Sequence, residues 1–530
     1  MTFLQALLIA ITYYLANSPW PFGGLGNYAT LYRPMVSGLV VGCIMGNPVL
    51  GTQIGATINL IYIGFISAGG SMPADMSLAG TLGTALAISA NIDTDAALAL
   101  AVPLGLLGSL VWVAHLTLCS FLVRIADRYA EEGKTDQTWK VAVLYPQLIL
   151  FALTAIPCFF AAYYGSGIVA SVLNSLSGTF MTILSTIGGM LPAVGIGMML
   201  MSIFKGKAKI YFFLGFFIAA YFGLGTLPVS LIFLCVALLV TDFKPEDLNV
   251  SKAEDTNNTS AKRLSKATLN KAWWRWMYYF QACYNYERMQ GIGFLHSMSP
   301  VIAELYQDKP DEKIKAMKRH TEFFNTENAT GSAVIGLVAA MEEQRANGAD
   351  LDDESFTNIK AGLMGPLAGV GDTLWQTVMI PMMILMFIGM AKEGNVIAPI
   401  LYCVLFYVVY NAFGYWLLKL GYNKGSEAIL NLMESGVINK VITAAGILGC
   451  AVLGGLVSKY VSLSTTITLQ ESADATMSLQ KDFFDAICPG LLPLLLTLGC
   501  YKMLMKGMKS YTVMLIIIAI AVVGVLVHIF

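Results

Sequence analysis

Residues equipped for chemistry are few in this chain, and many crowd into the stretch from His320 to Gln376. That stretch holds Glu322, Glu327, Glu342, Arg345, Asp353 and Asp372 among others, although charged residues make up only 12% of the whole. Polar and ionisable groups inside apolar segments cost several kcal/mol near a bilayer centre, so those that occur there are paired or functional. By that criterion the candidate binding residues are Asn59 in IGATINLIYIG, Asp75 in GGSMPAD, Asn285 and Glu287 in NYERMQ, Asn325 in EFFNT and Asp372 in GVGD. Gln290, three residues after Glu287, shares its helical face. Each position also has a purely structural reading. Asn59 could bond one helix to another, and Asp75 could cap the helix that begins MSLAG. Asp372 could cap the span TLWQTVMIP, and EEQRANGADLDDE reads as a solvated face with a docking role as its rival.

Catalytic motifs find no footing. There is no GxSxG, and GPLAGVG (365–371) lacks the spacing and the Lys-Ser/Thr of a phosphate loop. The four histidines, His115, His296, His320 and His528, form no HExxH. His115 reads as a packed imidazole in an apolar run, and His320, beside Lys318, Arg319 and Glu322, as a surface residue. Nine cysteines without a CxxC read as small hydrophobes in packed helices. No catalytic residue, metal or cofactor is expected.

The elements that must position these residues are membrane helices. The chain has 530 residues, 56% of them hydrophobic, with mean hydropathy +0.67. Soluble domains carry about 25% charged residues, so the composition describes an all-α polytopic membrane protein. About ten spans or re-entrant segments are expected, with helices broken by Gly and Pro. A net charge of −1 gives no field for nucleic acid. Residues 36–67 and 187–197 are the Gly/Pro-broken stretches. Basic loops at 124–140 and 205–209 fall on one side, which the positive-inside rule makes cytoplasmic. Residues 242–270 read as a flexible cytoplasmic linker between domains 1–241 and 271–530. Within the second domain, 271–373 reads as mostly cytoplasmic or interfacial, and 374–530 as spans that leave the C-terminus outside.

Four separated motifs, NYERMQGIGF, EFFNT, EEQRANGA and GLMGPLAGVGD, resemble the IID component of mannose-type (mannose/fructose/sorbose family) sugar phosphotransferase systems over roughly residues 270–530. Arg33-Pro34, the Gly-punctuated 42–64 run and GGSMPAD are similar to the IIC component over roughly 1–245. The resemblance implies an IIC–IID fusion in a bacterial inner membrane. It implies a permease that translocates a sugar phosphorylated by a separate IIB protein, itself charged through IIA, and an assembly of three copies. Sugar recognition fits the carboxylates and amides named above, which bond adjacent hydroxyls in fixed geometry. At the position of Asn59 the IIC pattern often has Glu or Gln, which implies a different sugar preference. An ion-coupled secondary transporter would also need broken helices and buried carboxylates, and it is the alternative, with a non-transporting scaffold third.

Overall fold

The computed structural model describes residues 1–65, 74–92, 94, 96–174, 178–241, 263–434, 437–472 and 475–530. Most of GGSMPAD and residues 242–262 of the expected linker lie outside the described residues. Local signals fix many helix ends. Thr2 and Gln5 close a reciprocal capping box on the helix Phe3–Asn17. Asp352 caps the helix that begins at Asp353, and Gly348, at φ +97°, follows the end of Asn328–Ala346.

Five described helices are long and apolar enough to cross a membrane: Ala96–Glu131, Lys140–Gly165, Asp353–Lys392, Ile397–Gly425 and Thr443–Tyr460. A sixth arises if Leu479–Ile487 and Leu491–Met505, bent by 69°, act together. Seven other apolar helices among the described residues have 10–17 residues, too few to cross alone. The Gly-rich stretch after Arg33 forms two short helices, Pro34–Met45 and Pro48–Tyr62. A Cβ on Gly55 would fall 2.2 Å from the Pro34 carbonyl oxygen, so these glycines permit a close crossing of two helices.

Two features differ from expectation. The helix that carries the second domain's first apolar run, near 374–391, begins well before it and runs unbroken from Asp353 to Lys392. Among the described residues, the Ser/Thr-rich stretch 461–481 contains an antiparallel hairpin, Thr468–Ser472 with Ala475–Ser478, where β-branched Thr468 and Thr476 favour strand.

The two halves clasp one another. Ala208–Phe222 packs along Val437–Tyr460 with glycines at the contact. A Cβ on Gly215 would overlap the Ala451 carbonyl and one on Gly454 the Phe212 carbonyl, both within 1.9 Å. Backbone therefore rests on backbone, as close-packed membrane helices require.

His320 and part of EEQRANGADLDDE are not surface features. Glu342 and His320 are buried, and they form a network with Arg319. Arg319 donates through Nε and Nη2 to both Glu342 oxygens at 2.7 Å, while His320 Nε2 meets Oε1 at 2.7 Å and Tyr306 donates to Oε2 at 2.6 Å. Arg319 also pairs with Asp353 at 2.8 Å and lies over the Phe356 ring. The reason lies in helical period: Glu342 follows Ile335 by seven residues and Val338 by four, which puts it on the buried stripe of Asn328–Ala346. Burial pushes the Glu342 carboxyl up, but hydrogen bonds from His320 and Arg319 outweigh it and hold it well below the usual carboxylate range. Burial pushes the His320 imidazole down to about 4, against the pull of Glu342.

Candidate functional site

A turn at 285–291 and an extended segment at 321–327 meet the middle of the 353–392 helix. The turn is built by Asn285, whose Oδ1 accepts from the amides of Glu287 (3.1 Å) and Arg288 (2.9 Å), while Nδ2 donates to the Cys283 carbonyl (2.9 Å). Gln290 then clamps the backbone of Thr326, accepting its N–H at 2.9 Å and donating to its carbonyl at 2.8 Å. Glu327 ends the segment and caps Asn328–Ala346. Its carboxylate accepts from Ala329 N, Thr330 N, Thr330 Oγ1 and Tyr410 Oη at 2.8–3.0 Å. Gly371 on the facing helix makes room for it, since a Cβ there would lie 2.7 Å from Glu327 Oε2.

The facing helix changes pitch at this point. Asp372–Met379 is a π-helical segment, a local widening found disproportionately at functional sites. Asp372 and Gln376 sit on it side by side, with Gln376 Nε2 donating to Asp372 Oδ1 at 2.6 Å. Asn325 reaches the same space and accepts from Tyr284 Oη at 2.7 Å. The chain before and after Asp372 is helical, so Asp372 is not a helix cap; Asp352 has that role.

These groups line a cavity in two adjoining parts, of about 30 and 50 Å³. One is walled by Gln281, Tyr284, Asn325, Glu327, Asp372 and Gln376, and the other by Asn17, Tyr28, Tyr32 and Trp112 of the first half. Leu25, Gln281 and Gln376 border both parts. The volume holds a few waters. Trp112 stacks on Tyr284 at 5.8 Å between centroids, which carries an aromatic face across from one half to the other.

Of the residues singled out from sequence, Asn325 and Asp372 come together here, with Gln290 beside them. The others lie elsewhere. Asn285 is buried and engaged in building the turn. Glu287, with its side chain 56% exposed, points away from the cavity, because NYERMQ is a turn rather than a helix. Asn59 is buried between the paired short helices and accepts from Met35 N at 3.3 Å. Asp75 is buried, caps the helix Met76–Ala90 through Ser77 N and Leu78 N, and accepts from Tyr13 Oη at 2.6 Å. Asn17, Gln281 and Gln376 are amides that sequence reasoning passed over. Gln281 in MYYFQAC and Gln376 in TLWQTV meet the criterion that picked out Asn59, a polar side chain within an apolar run.

Residues 263–530 match the model of the PTS system mannose/fructose/sorbose family IID component, and residues 3–239 that of the PTS system sorbose-specific IIC component. The chain belongs to the mannose/fructose/sorbose phosphotransferase family. Both membrane components of that family are fused in it. The mannose-specific EIID component of Escherichia coli K12 is 36% identical over 51% of this chain and 96% of its own length. The sorbose-specific EIID component of Klebsiella pneumoniae is 38% identical over 46% of this chain and 90% of its own. For the first half, the mannose-specific EIIC component of E. coli K12 is 27% identical over 48% of this chain and 94% of its own. The fused chain is thus a multi-pass sugar permease of the phosphotransferase system, working with soluble IIA and IIB partners. Nothing in these relatives points to ion-coupled transport.

Proposed function

We propose that the cavity between the halves is the sugar site of this permease, and that the two halves hold one sugar jointly. The observation that carries this reading is the convergence of Asn325, Asp372, Gln281 and Gln376 from the second half with Asn17, Tyr32 and Trp112 from the first. Carboxylate and amide groups suit vicinal hydroxyls, and the Trp112–Tyr284 pair offers an apolar face for the C–H side of a ring. The substrate is a hexose or hexose derivative of the kind named for the relatives, mannose or sorbose. Three copies form the assembly, the bilayer is a bacterial inner membrane, and the basic loops, the linker and the IIB dock lie in the cytoplasm. The C-terminus lies outside.

Vesicles loaded with phosphoenolpyruvate and the soluble phosphotransferase proteins test the reading. Uptake is expected to require those proteins and to yield internal sugar phosphate. Unmodified sugar accumulating under a proton or sodium gradient would refute it. Mass measurement in detergent checks the trimer.

Domains 1–241 and 271–530 joined by a tether at 242–270 complete the proposal. The end of that stretch is ordered, since Leu264 is buried and Ser265 caps the helix Lys266–Tyr279, so the tether proper is the polar 242–262, whose effect is to raise effective concentration. Co-expressed fragments divided at Asp255 are expected to assemble and transport. Fragments that fail to co-purify would assign the linker a structural part.

A further inference from the structure

Asp75 does not border the cavity, yet it bonds to a residue that does. Its buried carboxylate is met by donors on every side. Oδ1 accepts from the amides of Ser77 (2.9 Å) and Leu78 (3.0 Å). Oδ2 accepts from Tyr13 Oη at 2.6 Å, and the side chain of Tyr32 supplies a further hydrogen bond. The two tyrosines stand in different places. Tyr13 packs with Val41 and Leu82 in an apolar cluster away from the cavity. Tyr32 forms part of the cavity wall. Its ring stacks on that of Tyr28, another wall residue, at 5.4 Å and 26°, and the Arg33 guanidinium lies 4.7 Å from the Tyr28 centroid. Ring, cation and carboxylate thus fix Tyr32 before any ligand arrives.

We propose that Asp75 makes Tyr32 the acceptor for one sugar hydroxyl, with Tyr32 as the contact and Asp75 as the positioning residue behind it. This rests on the reading of the cavity as the sugar site. A carboxylate has no proton to give, so Tyr32 must donate its own to Asp75. The Tyr32 oxygen then has only lone pairs to offer the cavity. A sugar O–H donates to Tyr32 Oη, whose O–H donates to Asp75, and each bond polarises the next. No covalent bond changes and no proton is transferred. The consequence is selectivity: a site with a committed acceptor favours a ligand that donates at that point and rejects one that cannot.

The test uses the full solubilised chain with mannose as the probe, or sorbose where mannose does not bind. Analogues of that sugar with one hydroxyl at a time replaced by fluorine, which cannot donate, complete the set. Tyr32→Phe is expected to weaken binding of the sugar about 10-fold, the scale of one hydrogen bond. It is also expected to abolish the penalty of one fluorinated analogue and leave the others unchanged. Asp75→Asn keeps the helix cap but turns an N–H toward Tyr32, which frees the phenol proton to face the cavity. Relief of the same analogue is expected. Tyr13→Phe breaks a bond to the same carboxylate and keeps the backbone carbonyl on which Asn17 rests, so it is expected to bind every ligand like the parent. A merely structural Asp75 would lower affinity for all analogues alike, and that result would overturn the proposal. So would unchanged binding in Tyr32→Phe, or a loss in Tyr13→Phe equal to that in Tyr32→Phe. A parent that binds neither sugar, or an Asp372→Ala variant that binds like the parent, refutes the cavity assignment. If Asp372→Ala loses binding while Tyr32→Phe keeps it, only the role of Tyr32 and Asp75 fails.

Discussion

Asp372→Ala is expected to weaken sugar binding by roughly 10- to 150-fold, the loss of one or two hydrogen bonds to a charged group at about 1.5–3 kcal/mol. Asp372 stands on the π-helical segment at the seam of the halves, where Gln376 already orients it at 2.6 Å. A hydroxyl in the cavity finds a carboxylate whose position is fixed before binding, so little ordering entropy opposes the bond. Asp372→Asn keeps the shape and loses the charge, and is expected to lie between parent and Ala. Glu287→Gln serves as the contrast, since Glu287 lies outside the cavity. Calorimetry on detergent-solubilised protein decides it, and equal affinities for the Asp372 and Glu287 variants would sink the site.

The largest effect on stability is expected from Glu342→Ala. It strips Arg319 and His320 of their common partner and leaves the buried guanidinium with Asp353 alone, a loss of about 3–5 kcal/mol. Thermal unfolding of the variant should begin well below that of the parent. The same network sets a pH dependence. His320 has an ordinary pKa near 6.5 when unfolded and about 4 when folded. Between those values the unfolded chain binds more protons, so stability falls as pH is lowered from about 6.5 toward 4. Below the ordinary range of a glutamate, Glu342 adds a loss of the same sign, because its folded carboxyl is held low. His320→Gln is expected to flatten the upper part of that profile, from about pH 6.5 to 5. A parent melting temperature that stays level over this interval would contradict the account.

The architecture was legible wherever a residue acts through its own neighbourhood. Thr2 with Gln5, Asp352 and Gly348 mark helix ends by local hydrogen bonding or backbone sign, and hydropathy marks the apolar runs. Asp372 was misread as a possible helix start because hydropathy rises there. The helix in fact begins near Asp353 and keeps its course through Gly365, Pro366 and Gly369, residues that read locally as a break. Glu342 and His320 looked solvated because Glu342 meets its partners, Arg319, His320 and Tyr306, only through tertiary packing. The site was half legible for a similar reason. Asn325 and Asp372 were accessible to a search for polar groups in apolar surroundings, and Gln281 and Gln376 would have been. No pattern in the chain says that Trp112 of one half will lie against Tyr284 of the other.

The glycine crossing of Ala208–Phe222 with Val437–Tyr460 bears on how the protein is made. Gly454 emerges from the ribosome more than 200 residues after Gly215. During that interval the last helices of the first half wait in the bilayer with a bare backbone ridge at Gly215 and no matching surface to seat it. Contacts so distant in sequence form late and leave intermediates open to wrong partners. When the two halves are separate products, that ridge must find its mate by diffusion among other membrane proteins. In a single chain the mate arrives tethered and in equal number, so the join between the halves acts first as a device of biogenesis.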